Sequence, residues 1–386
     1  MKVSSQFDGG NIEIVDITRP DDAHLRVRHD SNSDFLQWFH FRVSEAQDLA
    51  LTLHIDNAGE TSYPPGWQDY RAVATYDRQH FFRVPSTYDG RRLTIRHTPT
   101  RDVVYYSYFA PYSHERHQDL IARSLATPGV RHELLGHTLE GRDMDLLRVG
   151  ELGDGRRVCW IIARQHPGET MAEWLMEGLI ARLTDPQDPI ARALRSRAAF
   201  FLVPNMNPDG SFRGNLRVNA AGANLNREWQ NPTRERSPEV LLVRQRMEAT
   251  GVDFCLDVHG DEALPYNFIA GPDGVASVTP HVRTLQDSYE KALMRASPDF
   301  QIVHGYDPVP PGQGNMTMCT THVAGHFGCL AMTLEMPFKD TKDSPNEAVG
   351  WSPERCRQLG RANLDALLTV LGDLRQGTGR RAETAV

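Results

Sequence analysis

Cysteine is scarce in this chain and unpaired in its spacing. The five cysteines, Cys159, Cys255, Cys319, Cys329 and Cys356, are odd in number and form no C-x-x-C pair. Buried, reduced thiols of a cytosolic protein are therefore expected rather than a disulfide framework. No apolar stretch reaches the ~18 residues of a membrane helix. Met1 to Gly10 is polar and no apolar leader follows, so a signal peptide is not expected and a cytoplasmic location is. Positive charge is in the minority, with a net charge of −8, which argues against a nucleic-acid partner. It still allows a local basic pocket for an acidic substrate. G-x-S-x-G is absent, which disfavours a serine hydrolase. There is no internal repeat and no low-complexity segment.

What is present divides into two patterns. With 386 residues the chain is too long for one small core, and two domains are expected. Residues 1–115 read as short alternating strands: Asn11 to Val15, His24 to Arg28, Phe35 to Val43, Leu49 to Ile55, Arg71 to Tyr76, His80 to Val84, Arg92 to His97 and Val103 to Phe109. Turn residues such as Asn57-Ala58-Gly59 and Asp89-Gly90 punctuate them, as in an antiparallel β-sandwich. Its aromatics, Trp38, Phe39, Phe41, Tyr105, Tyr106 and Tyr108, read as core and interdomain packing. Beyond Ala110-Pro111-Tyr112 strands alternate with amphipathic helices, an α/β signature, over residues 116–376. Helices are expected at His117 to Leu125, Thr170 to Leu183 and Glu354 to Leu371. Residues 377–386 read as a disordered tail.

In the α/β part, the runs CWIIAR, FFLVPN, FCLDVH and LAMTLE all end in polar residues. Ligands of open α/β sheets collect outside the carboxyl ends of strands, so His166, Asn205, His259 and Glu335 are expected to converge. His166-Pro167-Gly168-Glu169 joined to a distant His259 supplies two imidazoles and a carboxylate. That donor set suits Zn²⁺ and leaves a position for water. The spacing brings His166 and Glu169 to one point if Glu169 opens the following helix. A hydrolase of this type needs a carboxylate to take a proton from the attacking water and pass it to the leaving amine, and Glu335 is the candidate. The loop Asn215 to Trp229 carries Arg217, Asn226 and Arg227. Arginine grips a carboxylate bidentately, so the group suits a peptide's terminal carboxylate and the scissile carbonyl. The His322/His326 pair has helical metal spacing but lacks a neighbouring glutamate and reads as structural.

Taken together these residues resemble the zinc carboxypeptidase family. The HPGET form of the metal motif, NPDG at 207–210, GNLR at 214–217, NLNR at 224–227 and TLEMPF at 333–338 are similar to its cytosolic carboxypeptidase branch. So are WFHFRV at 38–43 and YFAPYS at 108–113 in the segment before the catalytic domain. The resemblance implies a mixed β-sheet catalytic domain with helices on both faces, after a β-sandwich. It implies a zinc metallocarboxypeptidase with His166, Glu169 and His259 as metal ligands and Glu335 as general base. Arg217 would polarise the carbonyl, and Asn226 and Arg227 would hold the terminal carboxylate. The substrate would be a peptide or protein C-terminus, and the branch implies removal of glutamate. Two positions depart from the family. Asn224 stands where an aspartate usually supports a zinc-binding histidine. The segment MTMCTTHVAGHFG lacks the arginine of glutamate-removing members, with Cys319 or Thr320 near its position. Tyr306 is nearest to the family's substrate-capping tyrosine but is not assigned. Two other readings stay open at this stage: a zinc amidohydrolase of small N-acyl amino acids, and a binding protein with a vestigial metal site.

Overall fold

The computed structural model describes residues 1–375; the expected tail at 377–386 lies outside the described residues. The first part contains β1 (Lys2–Ser4), β2 (Glu13–Asp16), β3 (Ala23–Arg26), β4 (His40–Ser44), β5 (Leu51–Ile55), β6 (Ala72–Thr75), β7 (Phe82–Val84), β8 (Ser86–Tyr88), β9 (Leu93–His97) and β10 (Val103–Ser107). They form two 5-stranded sheets, ordered β1-β4-β10-β6-β7 and β2-β3-β5-β9-β8. Alternate residues point inward from both: Phe41, Val43, Val104 and Tyr106 from one sheet, Leu53, Ile55, Leu93 and Ile95 from the other, all in one buried cluster. This alternation is what a face-to-face sandwich requires.

One pair departs from the expected antiparallel arrangement. β3 and β5 run parallel, because the intervening β4 belongs to the opposite sheet and returns the chain in the same direction. The strand expected at Phe35 is also shorter, starting at His40. Short 3₁₀ turns at Ala58–Glu60 and Pro64–Trp67 interrupt the region read as short alternating strands.

The second part opens with α1 (His114–Leu125), earlier than the expected His117. Ser113 caps it, its Oγ accepting the Arg116 N–H at 3.2 Å, so the expected boundary at 115/116 falls inside its first turn. Then follow β11 (Val130–His137), β12 (Asp143–Val149), β13 (Arg157–Ala163), α2 (Met171–Thr184), α3 (Pro189–Arg197), β14 (Ala198–Val203), α4 (Pro208–Arg213), α5 (Pro238–Thr250), β15 (Phe254–Val258), β16 (Phe268–Ala270), α6 (Pro280–Ala296), α7 (Cys319–Phe327), β17 (Leu330–Glu335) and α8 (Pro353–Val370). The 7-stranded sheet runs β11-β12-β14-β13-β15-β17-β16. Its centre, β14-β13-β15-β17, is parallel, and both edges are antiparallel.

Apart from Arg157, Asp257, Thr333 and Glu335, the central strands are apolar because both faces are covered. Cys159, Ile161 and Ala163 of β13 join the cluster containing α2, α6 and α8. Val158, Trp160 and Ile162 join the one containing α5 and α7. From β13 the chain crosses to β14 on one side and then returns to β15 on the other. That reversal opens a crevice at the carboxyl ends of β13 and β15.

The two parts are packed against each other. The Tyr108 ring stacks on Phe338 at 4.3 Å, and Arg83 donates to the Phe338 and Trp351 carbonyls at 2.8 and 3.1 Å. Trp38, Phe39, Phe41, Tyr106 and Tyr108 are buried, and Tyr105 is half-buried. All five cysteines are buried free thiols.

Candidate metal centre

β13 ends at Ala163, and the chain turns through Arg164 to Gly168 before α2. Thr170, not Glu169, occupies the N-cap position, so Glu169 sits in the turn rather than opening the helix. The turn is closed by the Glu169 N–H donating to the His166 carbonyl at 3.1 Å. Gly168 lets the chains approach closely: a Cβ would meet the Leu216 carbonyl oxygen at 3.0 Å, so that segment would have to give by a few tenths of an ångström. The Gly168 N–H donates to that same oxygen at 2.8 Å, drawing the Arg217 loop against the turn. His259 follows β15 directly, its N–H bonded to the Leu334 carbonyl at 2.8 Å. This sets it beside Glu335, the last residue of β17.

The expected three residues come together. Glu169 presents Oε1 to His166 Nδ1 at 2.6 Å and Oε2 to His259 Nδ1 at 2.8 Å. One donor atom from each residue lies within 4.8 Å of the others. The far side of each ring decides its proton. His166 Nε2 faces Asn224 Oδ1 at 3.0 Å, and His259 Nε2 faces Asp257 Oδ2 at 3.0 Å. The Asn224 oxygen is identified by the Asn226 N–H that it accepts at 3.1 Å. Both are acceptors, so with a metal bound Nε2 would carry the hydrogen and Nδ1 would be the ligand atom. Two imidazole nitrogens converging on one carboxylate are balanced either by protons on the rings or by a cation among them. Imidazole nitrogen and carboxylate oxygen are donors that suit zinc, so the residues present fit that ion.

The electrostatics agree. Burial, then Arg217, push His166 down to about 4, which keeps it as the neutral imidazole a metal requires. Burial also opposes charge on His259, but Asp257 and Glu169 outweigh it and raise its pKa well above the usual value. The pocket around His259 thus attracts positive charge. Burial works to raise Glu169, yet the two histidines hold it below the usual carboxylate range.

Glu335 is 7% exposed. Its Oε2 is buried without a hydrogen-bond partner among the described residues. Burial pushes its carboxyl well up; His259 opposes this, and Glu169, Asp261 and Glu262 add to it. Tyr306 shares its hydroxyl between Asp261 Oδ2 at 2.8 Å and Glu335 Oε1 at 3.2 Å.

The Arg217 guanidinium makes no hydrogen bond or ion pair among the described residues, and its Cζ lies 5.5 Å from the Phe35 ring and 5.4 Å from the Tyr63 ring. Arg227 donates to the Asn226 carbonyl at 2.6 Å, and burial, then Arg217, lower its pKa. Two neighbouring cations, neither held in an ion pair among the described residues, favour an anionic ligand. Asn226 spends its side-chain oxygen on the Cys319 N–H at 2.9 Å, which leaves its amide NH₂ as the donor; this stands 3.5 Å from His259 Nε2.

Some contributors were not read from the sequence. Asp257 is two positions before His259 on β15, so LDVH held the signal: residues i and i+2 share a strand face. Gln165 donates to Asp257 Oδ2 at 2.6 Å and accepts from Trp229 at 2.8 Å. His322 and His326 stack on α7 at 5.8 Å and belong to no group of three metal donors among the described residues.

The family model described as "Zinc carboxypeptidase" matches residues 122–347, and the one described as "Cytosolic carboxypeptidase N-terminal domain" matches residues 3–109. The chain belongs to the zinc carboxypeptidase family. It is a peptide hydrolase of the metallocarboxypeptidase type. A metallo-carboxypeptidase from Pseudomonas aeruginosa, solved with (2-guanidinoethylmercapto)succinic acid, is 45% identical with a TM-score of 0.95, over 97% of this chain and 100% of that one. A metallo-carboxypeptidase from Burkholderia cenocepacia is 48% identical with a TM-score of 0.93, over 95% of this chain and 98% of that one. Cytosolic carboxypeptidase 1 of Danio rerio is 28% identical over 70% of this chain but only 28% of that longer protein. Among the described residues no helix is long and apolar enough to cross a membrane.

Proposed function

We propose that this zinc carboxypeptidase removes residues from free peptide C-termini, with His166, Glu169 and His259 holding the zinc. The buried, unpartnered Oε2 of Glu335 beside the three-donor cluster carries the reading. An orphaned carboxylate oxygen is costly unless a proton reaches it during the reaction. When bound, zinc lowers the pKa of water toward ~7 and acts as a Lewis acid.

The protein's own residues supply the rest. Arg227 and the Asn226 amide bind the substrate's terminal carboxylate and set the register of the last peptide bond. Arg217 donates to the scissile carbonyl oxygen as negative charge grows on it. Glu335 takes a proton from the attacking water as the new C–O bond forms, then gives it to the leaving nitrogen as the C–N bond breaks. Tyr306, half-exposed and bonded through its hydroxyl to Asp261 and Glu335, stands beside the base and is within reach of its proton.

We read the substrate as C-terminal residues in general, glutamate among them. Arg217 and Arg227 make the site cationic toward a main-chain carboxylate, and the carboxylates of the (2-guanidinoethylmercapto)succinic acid solved with the Pseudomonas relative fit such a site, while its guanidino group favours no acidic side chain. The test is release of free amino acid from matched peptides with a free or an amidated C-terminus. Turnover of the free form alone is expected; equal turnover of the amide would refute exopeptidase action.

A further inference from the structure

The loop that carries Arg217 is held by residues far from it in the chain. Asp30, which follows β3, is 4% exposed. Its carboxylate accepts three consecutive backbone N–H groups: Leu216 at 2.6 Å, Arg217 at 2.7 Å and Val218 at 3.2 Å. A carboxylate seated on successive N–H groups fixes the backbone on both sides of the middle residue. Neighbouring bonds extend the grip. Asn11 donates to the Gly214 carbonyl at 2.8 Å, the Ser31 N–H to Asn215 Oδ1 at 3.1 Å, and Asn32 to the Ala220 carbonyl at 2.9 Å. Gly222, at φ +76, lies so close that a Cβ would stand 2.2 Å from the Asn32 carbonyl oxygen.

Leu216 is the junction. Its N–H is taken by Asp30, and its carbonyl by Gly168 of the metal turn. The Arg217 side chain then passes between the Phe35 and Tyr63 rings. No ion pair holds it among the described residues, although Glu262, Glu169 and Glu335 act on it through space, so its N–H donors remain for a ligand.

We propose that Asp30, Phe35 and Tyr63 are positioning residues for Arg217, and that the two-sheet part of the chain is thereby a component of the active site rather than an appended module. This rests on the role given to Arg217 above.

The test is a double-mutant cycle on the full-length, zinc-loaded protein. Arg217→Ala is expected to lower kcat by about 10²–10³-fold, as for loss of one donor to the developing oxyanion. Asp30→Ala is expected to lower kcat by roughly 10²-fold through misplacement of that donor, with KM changing less. In the Arg217→Ala background Asp30→Ala should cost no more than about a further twofold, since it acts through a side chain already gone. Arg71→Ala removes a bond between the two parts of the chain, to the Glu347 carbonyl at 2.8 Å and away from the Arg217 loop, and should leave kcat nearly unchanged. Multiplicative losses for Asp30→Ala and Arg217→Ala would overturn the proposal, as would a folded, zinc-loaded Asp30→Ala protein with full kcat. Full activity of Arg217→Ala would remove the role of Arg217 itself and this proposal with it. If Asp30→Ala does not fold, Phe35→Leu and Tyr63→Leu carry the same cycle. Each is expected to lower kcat about tenfold, but only while Arg217 is present; equal losses in both backgrounds overturn it.

Discussion

Asn224 Oδ1 lies 3.0 Å from Nε2 of His166. The other proposed ligand histidine has a carboxylate in the equivalent relation, Asp257 Oδ2 at 3.0 Å from His259 Nε2. A neutral amide orients an imidazole but raises its basicity less than a carboxylate does. Asn224→Asp is therefore expected to tighten zinc binding by roughly tenfold or more, within the range set by partners of ligand histidines. Competition with a chelator of known affinity checks this. Unchanged affinity would mean that the amide already holds His166 as well as an acid could.

Glu335 tests the proposed chemistry separately from metal binding. It belongs to no metal-donor group among the described residues, so Glu335→Gln should leave zinc stoichiometry intact. Losing a general base costs ~10²–10⁴-fold, and kcat should fall by that amount. Metal analysis beside turnover of a free-C-terminus peptide reads both. A zinc-loaded variant with full activity would take Glu335 out of the mechanism.

His117 makes stability depend on pH. The ring is buried, with Nδ1 at 2.6 Å from Glu173 and Nε2 at 3.0 Å from Asp145. Burial opposes its charge, but these two carboxylates prevail and raise it to about 9. The folded state thus holds the proton more tightly than the unfolded chain, where histidine titrates near ~6.5. Its contribution is fully present below pH ~6.5 and is lost as pH rises through about 9. The size is on the order of 3 kcal/mol. Urea unfolding at pH 6 and pH 10 should show this difference, and His117→Gln should reduce it. An identical pH dependence in the variant would refute the assignment.

These residues also show what the sequence discloses. β13, β14, β15 and β17 were legible because strands covered on both faces are continuously apolar and end abruptly in polar residues. That end is also where His259 and Glu335 sit, so fold and site were read from one signal. The β11–β12 hairpin was not read. It lies at the sheet edge, where β11 is largely exposed, and its pattern lacks the clean apolar alternation of a half-buried strand. Helix α5 was missed for a related reason: in VLLVRQRM, Leu241 and Leu242 stand half-buried between the buried Val240 and Val243, which blurs its period. Asp257 was hidden inside a run read as apolar. Asp30 could not be read at all, because its partners are 186 to 188 positions away and nothing local distinguishes it from a turn aspartate.

The side chain that is removed poses the last question. Thr333 and Glu335 share one face of β17 by their two-residue spacing. The Thr333 hydroxyl is hydrogen-bonded to that of Thr320 at 2.7 Å, in the segment where glutamate-removing members of the branch carry arginine. Two hydroxyls that satisfy each other offer no charge to a substrate carboxylate. An arginine ~4 Å from that carboxylate would contribute about 4 kcal/mol at an effective dielectric of 20. Without it, discrimination between C-terminal glutamate and glutamine should stay below about tenfold, the scale of one hydrogen bond. A digest of peptides differing only in the last residue measures this ratio. Thr320→Arg should shift it toward glutamate by more than about tenfold, given the charge added. A strong native preference for glutamate that survives Thr320→Ala would show that another cation, Arg217 or Arg227, reads the side chain, and that the terminal carboxylate is bound elsewhere.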